Sequence, residues 1–197
     1  MGLAAFIDLV IYDFTTGFSP GPNNILLLSV TSRYGFKKSL KLMTGIWTGF
    51  LMMMILSALF CTALSTLVPA IQPYMKYVGA AYILYLAYTT AKRKPPKEGN
   101  AEDKAPSYWM GLTLQLVNVK VIIYGLTAYT SFILPYENRM PVLMLYAVML
   151  MSAGAGGNIL WSTVGSVLRR FYNKYYKIIN GVMAVLLLWC AWKVIRG

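Results

Sequence analysis

The 197-residue chain is 58% apolar and only 12% charged, against about 25% charged residues in an average soluble domain, which excludes a water-soluble globular class. Its formal charge of +12 would suit nucleic acid, but the basic residues are scattered over short alternating loops and do not gather on one aromatic-studded face, which excludes that partner. Histidine is absent from the chain, so the usual base of a nucleophilic triad and the commonest zinc ligand are both missing, and neither an enzyme, a metal site nor a cofactor is expected.

Uncharged runs cover 14–32, 42–75, 77–91, 105–119, 121–136, 140–168 and 178–192, and a membrane span needs about 20 mainly apolar residues. Six helices are predicted, over 4–31, 42–67, 71–91, 108–134, 141–166 and 176–195. The first apolar run follows no charged n-region, so no separate signal peptide is expected. That first helix would be about 42 Å long at 1.5 Å per residue, longer than the roughly 30 Å hydrocarbon layer, which suits a tilted or broken helix. The reason for a break stands in the letters Gly17-Phe18-Ser19-Pro20-Gly21-Pro22-Asn23-Asn24. A proline inside a helix removes a donor and clashes with the preceding turn, costing about 3 kcal/mol, and in lipid the freed backbone groups must find partners. Pro22 would suit the first position of a new helix, whose exposed amides attract anions such as a carboxylate. Asn23 and Asn24 are then candidate substrate contacts, or else they patch the broken backbone. Gly17-Phe18-Ser19-Pro20-Gly21 also matches the G-x-S-x-G nucleophile elbow, a false match without a strand before it or a histidine base.

Asp13 is the only acid well inside a span. Gly45 and Gly49 in the second helix, like Gly154, Gly156 and Gly157 in the fifth, read as surfaces for close helix packing. Cys61 and Cys190 fall within spans and read as small packed hydrophobes. Residues 92–107, rich in charge and proline with one glycine, read as a flexible cytoplasmic linker. The chain is then a single domain, 1–197, of two three-helix halves, 1–91 and 108–197. Three is odd, so halves descended from one unit must insert upside down relative to each other. Such inverted repeats place substrate sites on discontinuous helices near the midplane. The fold class is therefore an all-α membrane protein of six transmembrane helices in two inverted three-helix repeats, with a broken first helix.

The fourth helix is expected to be interrupted in its turn, at Gln115-Leu116-Val117-Asn118-Val119-Lys120. Lys120 would lie about 18 Å deep, where an unpaired cation costs at least about 2.5–3.5 kcal/mol. It clamps a substrate carboxylate, or it forms a static ion pair with Asp13, which should lie at similar depth; Asp13 is otherwise a proton-carrying acid. Gln115, Asn118 and Asn158 are further polar candidates. Trp109, Tyr172, Tyr175, Tyr176 and Trp192 are placed in interfacial belts. Loops one, three and five carry thirteen Lys and Arg and the outer segments four. The positive-inside rule puts those loops in the cytoplasm and both termini outside.

Pro20-Gly21-Pro22-Asn23-Asn24, then Tyr34-Gly35-Phe36-Lys37-Lys38-Ser39 and Gly45-Ile46-Trp47-Thr48-Gly49, resemble the LysE/RhtB family of amino-acid exporters from about residue 10 to the end. Leu114-Gln115-Leu116-Val117-Asn118-Val119-Lys120-Val121-Ile122-Ile123-Tyr124-Gly125 looks most like its cysteine/O-acetylserine branch. Much of the family has proline where Val119 stands, so this chain lacks one helix breaker there. The resemblance implies six spans in the bacterial inner membrane and export of small amino acids in exchange for protons. On that footing the substrate-binding residues are Pro20, Gly21, Pro22, Asn23, Asn24, Gln115, Asn118 and Lys120, with Asp13 the candidate for proton coupling. The expected partners are a small amino acid, the proton and the lipid bilayer. A threonine/homoserine-like or basic cargo, a non-transporting receptor or assembly subunit, and homo-oligomerisation stay open.

Overall fold

The computed structural model describes residues 2–92 and 107–196, and every regular element among them is helical. In chain order these are α1 (Leu3–Phe18), α2 (Pro22–Tyr34), α3 (Phe36–Lys92), α4 (Tyr108–Leu116), α5 (Val119–Thr127), which runs on into a π-helical stretch Ala128–Ile133, and α6 (Met140–Arg196). Three helical segments are long and apolar enough to cross a membrane: Phe36–Cys61, Met140–Tyr172 and Lys174–Trp192. A fourth is the pair Tyr108–Leu116 and Val119–Ile133, bent by 59° at its break, if the pair is one span. The chain is thus a multi-pass membrane protein. The proposed linker 92–107 lies, but for its two ends, outside the described residues.

The expected break in the first helix falls at Ser19–Gly21, where Ser19 and Gly21 adopt extended backbone and Pro22 opens α2. α2 is buried almost all round, although six of its thirteen residues are polar, and only Asn23 and Arg33 are not fully buried. A helix of that kind belongs in the middle of a bundle. It ends at Gly35, whose φ of 83° lies in the left-handed region that favours glycine, and whose amide returns to the Thr31 carbonyl at 2.9 Å.

Two joints differ from the sequence expectation. The turn predicted at 68–70 is absent, and the backbone stays helical there; α3 bends instead at Phe60 (φ −120°, ψ 19°). Likewise α6 has no loop at 167–175 and bends at Tyr175 (φ −118°, ψ 19°). One residue leaving helical geometry redirects each helix, so neither joint needs the glycine, proline or polar cluster by which loops are recognised. Tyr172, expected at an interface, is buried beside this second joint, and its hydroxyl donates to Asn180 Oδ1 at 2.9 Å. Trp109, Tyr175 and Trp192 are exposed, as interfacial residues would be.

The core divides in two. One cluster joins α2 (Ile25 to Val30) with Leu42, Met43 and Ile46 of α3 and Met183, Leu187 and Cys190 of α6. The other joins Leu9 of α1 with Met54 and Cys61 of α3, Val121 and Tyr124 of α5 and Leu143, Ala147 and Leu150 of α6. α1 belongs to one cluster and α2 to the other, so the break between them sits where the two cores meet. Glycines allow the close crossings this requires. A Cβ on Gly45 would collide with the Tyr108 backbone, and one on Gly157 with the carbonyl of Gly17. Gly45→Val and Gly157→Val are therefore expected to destabilise the fold by about 1–3 kcal/mol. A lower melting midpoint in detergent checks this, with Gly181→Ala, where a Cβ meets nothing within 4 Å, giving no decrease.

Candidate functional site

Breaking α1 from α2 inside an apolar bundle frees the last carbonyls of α1, and side chains from three other helices take them up. Asn24 Nδ2 donates to the Gly17 and Ser19 carbonyls at 3.0 and 2.9 Å. Trp161 Nε1 of α6 donates to Phe18 O at 3.0 Å. Lys120 Nζ of α5 donates to Thr16 O at 3.1 Å and to Ser19 Oγ at 2.7 Å. Asn158 Nδ2 of α6 braces Asn24 by donating to its Oδ1 at 2.7 Å. Unpaired, each of these groups would cost several kcal/mol in lipid.

The second break lies at Val117 and Asn118, without any proline. Val117 leaves helical geometry (φ −100°, ψ 3°), and Asn118 (φ −84°, ψ 93°) caps α5 by accepting Val121 N at 2.9 Å on its carbonyl. The Asn118 side chain does not cap α5; its amide nitrogen turns to Asn23 and Gln115 instead. Three amides lock the two breaks together. Asn23 Nδ2 donates to Gln115 Oε1 at 2.7 Å, and Asn118 Nδ2 donates to Asn23 Oδ1 at 3.1 Å and to Gln115 Oε1 at 3.4 Å. Gln115 Nε2 and Asn118 Oδ1 are buried and find no protein partner.

Beside this triad lies a cavity of about 440 Å³, mouth included, whose walls include Gly21, Asn23, Asn118, Lys120, Tyr124 and Asn158. Of the expected site residues, Gly21, Pro22, Asn23, Asn24, Asn118 and Lys120 line it; Gln115 stands behind as a brace, and Pro20 is exposed outside it. Two helix N-termini, those of α2 and α5, meet at this cavity, each equivalent to about half a positive charge. Lys120 adds a full charge, and no acidic residue lines the wall. Gly21 makes room for the ammonium: a Cβ there would lie 3.1 Å from Lys120 Nζ. The arrangement is built to receive an anion.

The Asp13–Lys120 ion pair, the alternative to a substrate role for Lys120, is not made. Asp13, 2% exposed, accepts instead from the Tyr124 hydroxyl at 2.5 Å, while Lys120 turns to the end of α1. Depth along two helices was estimated correctly enough to bring both residues near the break, but depth says nothing of which way each side chain faces. Tyr124, Thr16, Phe50 and Gly154 also line the cavity and were not anticipated. Tyr124 had a signal: it follows Lys120 by four residues, which puts both on one helix face.

The two asparagines are expected to separate in their effects. Asn24→Ala leaves two carbonyls and Asn158 without partners, and a loss of about 1–3 kcal/mol per buried group should deplete the protein from membranes. Lys120→Met should not, because Thr16 O keeps the Ser19 hydroxyl at 2.8 Å. Immunoblots of membranes from cells expressing each variant measure the difference.

Residues 14–197 match the family described as LysE type translocator. The chain is 37% identical over 183 residues to the cysteine/O-acetylserine efflux protein of Salmonella typhimurium, covering 93% of each chain. It is equally similar, at 37% over 183 residues and 93% of each chain, to the protein of that name from Escherichia coli O6:H1. No solved structure matches.

Proposed function

Because the chain belongs to the LysE type translocator family, whose members are transporters and not enzymes, we propose that it exports a small neutral amino acid of the cysteine or O-acetylserine kind by alternating access around the cavity between its two broken helices. The observation that carries this reading is the meeting of two helix N-termini with Lys120 at one cavity that no acid lines. The substrate carboxylate binds Lys120 and the main-chain amides at Asn23 and Asn24. Asn118, whose buried Oδ1 has no protein partner, meets a polar group of the substrate, with Gln115 holding it in place. The names of the relatives, cysteine/O-acetylserine efflux proteins, support the cargo class. The cationic wall favours a neutral side chain over a basic one, since a second cation would meet Lys120 with no acid to offset it.

The same reading makes the chain one transporter domain of six spans, in two inverted halves, in a bacterial cytoplasmic membrane with both termini outside. Each half has a broken pair followed by a long bent helix: α1 and α2 precede the 57-residue α3, and α4 and α5 precede the 57-residue α6. That common order supports the repeat. Export runs in exchange for protons, with Asp13 the acid that carries them.

Asn23→Ala, Asn118→Ala and Lys120→Met are each expected to lower efflux of cysteine from preloaded cells by tenfold or more, an effect of at least about 1.4 kcal/mol, with the protein still present in the membrane. Wild-type rates in all three would refute the site assignment.

A further inference from the structure

The buried pair Asp13–Tyr124 is not used by the carboxylate site, and it joins two cavities. Tyr124 belongs to the wall of the central cavity. Asp13 belongs to the wall of a second, open cavity of about 470 Å³, mouth included, formed by Val10, Phe14 and Phe18 of α1 with Met149, Ser152, Ala153 and Gly156 of α6. The 2.5 Å hydrogen bond from the Tyr124 hydroxyl to Asp13 Oδ1 bridges the two. Tyr12 stacks on the Tyr124 ring at 5.5 Å, and the ring of Phe50 of α3 lies tilted against it at 5.6 Å, so the phenol is held in place. No ion pair joins Asp13 to any described residue. The titratable groups around the pair are Tyr12 on α1, Lys120 on α5 and Tyr129 just beyond it. α6 contributes none among the residues that line the second cavity.

An amino acid has two charged ends, and Lys120 with the helix N-termini provides for one. On that reading of the cavity, we propose that the Tyr124 oxygen, backed by Asp13, is the subsite for the substrate's ammonium group, and that a proton on Asp13 competes with the ammonium there. Lys120 and Tyr124 stand one helical turn apart, about 5–6 Å between Cβ atoms, the scale of an amino-acid head group with its contacts. With Asp13 ionised, the Tyr124 hydrogen is committed to Oδ1 and the phenol oxygen presents lone pairs. An ammonium has only donors to offer, so it binds. With a proton on Asp13, the carboxyl donates to the phenol oxygen and the Tyr124 hydrogen turns away from it, which repels the ammonium. The proton enters and leaves Asp13 by way of the second cavity, where Ser152 is the other polar side chain, and is given up on the opposite side of the membrane from the one that supplied it. Binding of one excludes the other, which is the requirement for exchange rather than co-transport.

The sign follows directly. Acid favours the protonated pair, so the half-saturation concentration should rise as pH falls, by at most about tenfold per pH unit for a single proton. The test is counterflow of L-cysteine in proteoliposomes under reducing conditions, with equal pH on both sides, stepped from pH 7 to 5.5. Wild type should show the slope. Asp13→Asn imitates the protonated state, so its half-saturation should be high and independent of pH, and Asp13→Glu should restore the slope. Should Asp13→Asn fail to fold, Tyr124→Phe, which keeps the stacked ring, is expected to be weak and flat as well. An unchanged slope in Asp13→Asn or in Tyr124→Phe overturns the subsite, as does a flat wild type that still exchanges cysteine. A wild type that exchanges no amino acid at all overturns the parent reading and this one with it.

Discussion

A helix cannot be opened inside a membrane protein without pairing the backbone groups it releases. That constraint organises this molecule. The Pro20-Gly21-Pro22 break exposes the carbonyl end of α1, and the residues that answer it are Asn24, Trp161 and Lys120. They come from α2, α6 and α5, so satisfying one broken helix fixes the relative position of four. The second break, at Val117 and Asn118, is tied to the first through Asn23 and Gln115. The close crossings at Gly45 and Gly157 follow, since the backbones must approach near enough for short amide side chains to reach.

The result is an electrostatic asymmetry. Carbonyl ends are occupied, whereas the amide ends of α2 and α5 are left facing a cavity together with an ammonium. A cation at a helix N-terminus is ordinarily unfavourable by a few tenths of a kcal/mol or more. Lys120 tolerates it because the C-terminal end of α1 lies against its Nζ. An arriving carboxylate would compete for the same ammonium, and the Ser19 hydroxyl would keep Thr16 O satisfied meanwhile. On the proposed reading, binding would repack the break, as a transporter that must change shape around its substrate requires.

Much of this was legible in the letters. Two prolines and two glycines between Asp13 and Arg33, in a run without charge, announce a break, and amides with a lysine at 115–120 announce another even with valine at 119. Other features were not legible, for physical reasons. The bends at Phe60 and Tyr175 use ordinary residues in one unusual conformation, and no local composition marks them. The Asp13–Tyr124 bond spans 111 positions, and pairing Asp13 with Lys120 by depth alone ignored the helix face on which each lies. Asn24 and Asn23 are adjacent letters with different duties, because successive residues on a helix point about 100° apart.

The central claim is that the two helix N-termini and Lys120 hold the substrate by its carboxylate. Competition in proteoliposome counterflow tests it most directly, with labelled cysteine as the transported solute and cysteamine, which is cysteine without its carboxylate, as the competitor beside unlabelled cysteine. The expected result is that cysteine competes and cysteamine fails to at a hundredfold excess. Equal competition by cysteamine would contradict the claim, since a site that ignores the carboxylate has no use for this arrangement of helix ends.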